Sequence, residues 1–356
     1  MRFSRKTRQI ALATALLTGL VSCGTASYYG QALRGQAQIW WRAKPIEKVL
    51  SSDEATPQLR EQLKLVQEVR EFAGTHLHLP AHRAYHDYAD LGRRHVVWVV
   101  YAAPEFSVEA RSWWYPVVGR LQYRGYFNEA AARKEAEKLK AQGLDVLVGG
   151  VDGYSTLGWF HDPVLNTFLH RTDAELAELI FHELTHVKLF LPGDTEFNEA
   201  LATAVGQEGV RRWLKSRGMT RQLAEYEADI RKDREIIRLL LAKRTELKSL
   251  YERNKHLPLE EQRAAKKTSL AGLTADYQKI RRRWSGDSRY DALFKSAIDN
   301  ARLCTISAYY NLVPAFDQRI AAHGGNLDLF FAEMKALADL SPAKRRQRLQ
   351  LPALVP

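Results

Sequence analysis

The stretch that decides the fold is Thr172-Asp173-Ala174-Glu175-Leu176-Ala177-Glu178-Leu179-Ile180-Phe181-His182-Glu183-Leu184-Thr185-His186. Thr172 and Glu175 stand at capping-box spacing, and strong helix formers follow them. The pattern predicts a helix that carries His182 and His186 one turn apart on one face. Two neutral imidazoles so placed can share one Zn²⁺, and Glu183 lies on the adjacent flank, within reach of a metal-bound water. Each residue type has its own task in that chemistry: the metal acidifies water and polarises a carbonyl, while a carboxylate outside the ligand set moves the proton.

A catalytic site of this kind takes three protein ligands and leaves one position open, so a third donor must come from elsewhere. Leu191-Pro192-Gly193-Asp194 reads as a helix stop and turn, and residues 195–215 read as the next helix. A reversal there brings Glu199 back across from the histidines, with Glu196 and Glu208 as the nearest substitutes. Asn198 is then either a contact for a substrate backbone or a helix-surface amide.

On the N-terminal side, 95–101 reads as a strand, 116–126 as a second, 128–142 as a helix, and 144–148 as a third strand ahead of Gly149-Gly150. That order predicts a small mixed sheet with a crossover helix. On the C-terminal side almost everything has helical periodicity. Two long segments, 220–254 and 259–284, meet at Asn254 and Pro258. Leu223, Tyr226, Ile230, Ile237 and Leu241 line the first, and Leu270, Leu273, Tyr277, Ile280 and Trp284 the second, so an antiparallel helical hairpin is expected. The fold class that follows is α+β and mostly helical, a small sheet leading into helices that carry the chemistry, with the hairpin as an insertion.

The chain has 356 residues, 46% of them hydrophobic, enough for one large core or two smaller ones. Two cysteines cannot build a disulfide framework. Residues 1–22 carry Arg2, Arg5, Lys6 and Arg8 and no acid, then an apolar run too short to span a bilayer, in the order of an export signal. Leu20-Val21-Ser22-Cys23 resembles the lipobox of bacterial lipoproteins, which implies cleavage before Cys23 and acylation of its thiol. By the same resemblance, Gly24 favours the outer membrane, so the protein is expected in the cell envelope, anchored by lipid and facing the periplasm. Cys304 is then the one remaining thiol and reads as a core residue.

Removing the four basic leader residues lowers the formal charge from +12 to +8, and residues 221–283 hold 17 basic against 10 acidic side chains. The basic hairpin offers a contact for anionic lipid or a cell-wall polymer, or a solvated mixed-charge face. No nucleic-acid module is visible. The expected divisions are a leader at 1–22, a tether and helical segment at 23–94, the α/β part with the His-Glu helix at 95–219, the hairpin at 220–284, and a C-terminal helical segment at 285–356. His76, His78, His82 and His86 lack an acidic partner set and read as surface histidines.

His182-Glu183-x-x-His186 followed by Asn198-Glu199 resembles the gluzincin metallopeptidases, although only 12 residues separate His186 from Glu199, somewhat fewer than in the thermolysin-like families. Residues 115–120, 154–160 and 312–316, taken with these helices, are similar to a family of bacterial lipoproteins described as predicted aminopeptidases. The resemblance implies peptide-bond hydrolysis on one Zn²⁺ per chain with an N-terminal preference. It also implies that the segment with Tyr154, Ser155, Thr156 and Gly158 pairs with the extended peptide, and that Tyr309 or Tyr310 polarises the carbonyl. Core packing is the other reading of those two tyrosines, and a buried strand with aromatic packing the other reading of residues 154–160. An endopeptidase with the same site, or a non-catalytic envelope lipoprotein that binds a partner through the hairpin, are the rival functions.

Overall fold

The computed structural model describes residues 23–115, 119–153, 156, 160–295 and 298–349. The leader at 1–22 and Tyr154, Ser155 and Gly158 lie outside the described residues. The chain enters through α1 (Cys23–Arg42), β1 (Lys44–Pro45), α2 (Ile46–Leu50) and α3 (Pro57–His76). The strands β2 (Asp87–Ala89), β3 (Val97–Pro104), β4 (Trp113–Tyr115), β5 (Gly119–Leu121) and β6 (Arg124–Tyr126) follow. Next come α4 (Glu129–Ala141), β7 (Leu144–Val151), β8 (Val164–Leu165), α5 (Asp173–Lys188) and α6 (Thr195–Ser216). The remainder is helical: α7 (Thr220–Asn254), α8 (Leu259–Arg283), α9 (Asp291–Lys295), α10 (Asn300–Tyr310), α11 (Val313–Ala322), α12 (Leu327–Ala338) and α13 (Pro342–Leu349). The fold is α+β and mostly helical, as the periodicity predicts.

Three strands form the sheet that positions the site, in the order β6-β3-β7. Both outer strands run antiparallel to β3, so they are parallel to each other, and α4 crosses between them. The crossover helix is where it was expected, but its sheet is antiparallel; mixed pairing occurs in the separate set β1-β2-β8. Asn128 caps α4 by accepting from Ala131 N–H at 3.0 Å. The two-residue alternation of β3 gives each face its own role. Val100 and Ala102 pack with Ala132, Ala136 and Leu139 of α4, while Val97, Val99 and Tyr101 join the core on the other face, toward α5 and α6.

Two strand expectations are corrected. The single strand at 116–126 is several short pieces: β5 pairs back with β4, and β6 joins β3. Gly119, at φ +75°, turns the chain there, and a Cβ on it would stand 3.1 Å from Gly193 N in the α5–α6 turn. Gly149 and Gly150 lie inside β7, opposite Val99 and Trp98, instead of ending it. Gly150 fits because the His95 ring occupies the space a side chain would need.

The hairpin forms as α7 against α8, with its own core. Ile236, Leu240 and Leu247 of α7 pack with Leu273, Tyr277 and Ile280 of α8, and Tyr277 stacks on Phe294 at 4.0 Å between ring centroids. The α8 seam is as predicted. On α7 Ile236 and Leu240 are buried, one position before the expected Ile237 and Leu241, which are only half-buried, because neighbouring apolar residues left the phase of that seam open.

Candidate metal centre

Helix α5 begins with the predicted capping box: Thr172 Oγ1 accepts from Glu175 N–H, and Glu175 Oε2 accepts from Thr172 N–H at 3.0 Å. Such a cap contributes about 1 kcal/mol and fixes where the helix starts, hence the phase of His182, Glu183 and His186. The turn at 191–194 ends in Asp194, which caps α6 by accepting from Phe197 N–H. Helices α5 and α6 then pack side by side. At Gly206 an added Cβ would meet Glu178 O at 3.2 Å, and at Gly209 it would sit 2.5 Å from the Phe181 ring and 2.8 Å from Leu77. Two glycines one turn apart therefore let the helix backbones approach, and Glu199 reaches the histidines across the gap.

His182 Nε2 and His186 Nε2 lie 3.1 Å apart, and Glu199 Oε2 stands 3.3 Å from the first and 3.6 Å from the second. Among the described residues this trio is the one group of three or more His, Cys, Asp or Glu side chains close enough to hold a metal. Three ligands bonded to one tetrahedral zinc at about 2.0–2.1 Å are separated by about 3.3 Å, so the observed triangle fits that ion. Glu183, His186 and Glu199 are buried. Burial pushes the Glu199 carboxyl up, but the two imidazoles outweigh it and bring it down to about 2. His182 shows the reciprocal effect: burial opposes its charged form, yet Glu199, Glu183 and Glu178 raise its pKa. Burial raises Glu183 against the pull of both histidines. His186 Nδ1 is buried without a hydrogen-bond partner among the described residues, so no acceptor among them orients that ring.

Residues 27–349 match the family described as "Putative aminopeptidase". The chain belongs to that family. No curated protein and no solved structure matches it.

In this aminopeptidase-family chain the trio opens onto a cavity of about 980 Å³. Its walls come from β3 (Val97, Val99, Tyr101), from α1 (Tyr28, Tyr29, Ala32) and from the end of the edge strand β7 with the two residues after it, Gly150 to Gly153. Tyr309 and Tyr310 both line it, from α10. They face different neighbours. Tyr309 shares a hydrogen bond with Tyr101, and burial, then the Glu199 charge and two further phenols, raise its pKa. Tyr310, also raised by burial, feels Glu178 and Asp233 instead. Tyr309 is therefore the one on the trio's side.

Several residues that sequence reasoning missed line the same cavity. Tyr101 and Tyr123 sit near Glu199, and burial and that charge raise both phenols. Tyr101 had a signal, since it shares a face with Val97 and Val99 in the alternation of β3; Tyr123, between two short strands, had none. Glu178, one turn before His182, accepts from Tyr226 OH at 2.7 Å. Burial raises the carboxyl of Glu178 and brings Asp233, which accepts from Tyr290 OH, up to about 6.

Other expectations are redistributed. Asn198 does not offer its amide to a substrate: it accepts from Leu191 N–H and donates to Leu191 O, both at 2.8 Å, and so clamps the α5–α6 turn. Thr156 is engaged within its own loop, its N–H donating to Asp162 Oδ2 at 2.8 Å. The substitutes for Glu199 are occupied elsewhere, Glu196 by Asn311 and Glu208 by Arg212. His76 stacks on Phe72 and His78 pairs with Asp328. Cys304 is buried, and its thiol donates to Val108 O.

Proposed function

We propose that this chain is a zinc-dependent aminopeptidase of the cell envelope. The observation that carries the reading is the triangle of His182, His186 and Glu199 beside a buried glutamate, inside a cavity large enough for a peptide end. Two imidazoles and one carboxylate are a donor set suited to zinc, and a zinc held there supplies Lewis-acid polarisation and an acidified water. Glu183, next to His182 on α5 and raised by burial, suits a group that accepts the attacking water's proton and passes it to the leaving amine. Tyr309, held by Tyr101, is the donor proposed for the carbonyl oxygen as charge develops. The edge of β7 offers its backbone to an extended peptide. Glu178 and Asp233 in the same cavity give a free α-ammonium group its counter-charge, which favours an exopeptidase.

Anchoring through an acylated Cys23, with removal of residues 1–22, is part of the proposal and rests on the lipobox-like sequence. Among the described residues no helix is long and apolar enough to cross a membrane.

Glu183→Gln is expected to retain about one zinc per chain by elemental analysis and to lose about 10²–10⁴-fold in kcat/KM. His182→Ala is expected to lose the metal itself. Undiminished hydrolysis by the Glu183→Gln protein would falsify the mechanism. Free and N-acetylated forms of one peptide separate exopeptidase from endopeptidase, since only the first requires the free amine.

A further inference from the structure

Helix α1 has two apolar faces, and among the described residues one packs on the protein while the other is largely exposed. Its inner face is engaged: Ile39 is buried, Gln31 Oε1 accepts from Phe127 N–H at 2.8 Å, and Gly35 lies against the Phe127 ring. At 100° per residue Tyr29, Leu33 and Trp40 fall within about 40° of one another on the opposite side, with Ala37 and Trp41 following. Leu33 is 73% exposed, Trp41 86% and Trp40 42%. Phe160 extends the patch, its ring 4.6 Å from Trp40. A solvated helix places charge on such a face; this one has no acidic residue anywhere, and its only charged side chains are Arg34 and Arg42.

We infer that the outer face of α1 lies on the lipid surface, with tryptophan and tyrosine at the headgroup level. Three observations identify lipid as the occupant. Exposed Trp and Tyr beside Leu is the composition of an interfacial helix, and an aromatic patch of this kind on a soluble surface marks an interaction site. Arg34, exposed and without an ion pair among the described residues, matches anionic headgroups, whereas Arg42 donates to Asp90 O at 2.9 Å. Cys23, the proposed acylation site, is the first residue of α1, so a helix of about 30 Å starts at the bilayer and cannot leave its vicinity. The last point rests on the proposed anchoring.

The location of the contact has a consequence for the active site. Tyr28, Tyr29 and Ala32 of this helix form part of the cavity wall, so docking sets the cavity beside the membrane surface. The basic hairpin is a poorer candidate, because Lys232, Arg234, Arg244 and Lys266 are engaged in ion pairs within the protein.

The test uses the full chain, purified from membranes in mild detergent and reconstituted into phosphatidylethanolamine–phosphatidylglycerol vesicles with brominated acyl chains. Tryptophan fluorescence is expected to be quenched relative to unbrominated vesicles. The double variant Trp40→Phe/Trp41→Phe should lose at least half of the fractional quenching, whereas Trp213→Phe, a change in the core, should not. Circular dichroism confirms that each variant is folded. Equal fractional quenching in the double variant overturns the inference. Mass spectrometry of the N-terminal peptide reads the anchor separately: an acylated Cys23 on an unquenched protein overturns the docking face and leaves the anchor standing. Quenching on a chain without acyl groups supports the face and removes the anchor. A photoreactive side chain at position 33 that captures protein, either a second copy or another chain, in place of lipid also overturns it.

Discussion

Asn198 decides how the third ligand is presented. Its buried amide satisfies both backbone groups of Leu191, and the next residue in the chain is Glu199. Asn198→Ala strands the buried Leu191 N–H, at about 1–3 kcal/mol, while Leu191 O keeps Asp194 N–H as a donor at 3.2 Å. A loss of about 1–3 kcal/mol in the urea midpoint analysis is expected, together with weaker metal retention; an unchanged midpoint would show that the clamp is dispensable. At this scale the site was partly legible. His182, Glu183 and His186 were readable because helical spacing alone puts them together, and Glu199 because the turn at 191–194 has unmistakable stop residues. The role of Asn198 was not, since a side chain that bonds backbone seven residues away leaves no periodic trace. Tyr123 was invisible because it lies between two short strands, outside the alternation of either.

Between elements, the spacing of α5 and α6 is set by glycine. Gly209→Ala places a methyl group against Phe181 and Leu77, in a core with no room for it, and overpacking costs about 1–3 kcal/mol. The gain in helix propensity, about 1 kcal/mol, offsets only part of that. Gly272→Ala in α8, with open space around it, should instead stabilise by about 1 kcal/mol. Denaturant midpoints of the two variants should therefore move in opposite directions, and movement in the same direction contradicts the close-packing account. Element identities were legible here because capping residues mark them: Thr172, Asp194 and Asn128 each begin the helix that follows. The α7 seam was misjudged by one residue because Ile236-Ile237 and Leu239-Leu240-Leu241 present apolar residues on both candidate faces. Only contact with α8 chooses between them.

Across the whole molecule, the basic charge of the hairpin joins it to the α/β part. Lys266 Nζ donates to Asp145 Oδ2 at 2.6 Å and to Glu105 O at 2.9 Å, with both side chains mostly covered. Lys266→Met leaves Asp145 largely buried beside its remaining partner, Asn300 N–H, and should cost about 2–4 kcal/mol. Lys279→Met, which breaks a surface pair with Asp276, should leave the thermal midpoint unchanged. Equal effects would mean that the hairpin is not held by its buried cation. Net charge was readable from composition, but its use was not, because pairing across more than a hundred residues depends on the tertiary fold. The α5–α6 hairpin adds a point about the order of assembly. All three proposed ligands lie between His182 and Glu199, so bringing them together closes a short loop, and loop-closure entropy rises with the logarithm of loop length. Tyr101 and Tyr309, by contrast, meet across most of the sequence. The metal-binding half of the site is thus kinetically local, able to form while the chain is still collapsing, whereas the half that faces the carbonyl waits for the sheet and α10 to dock.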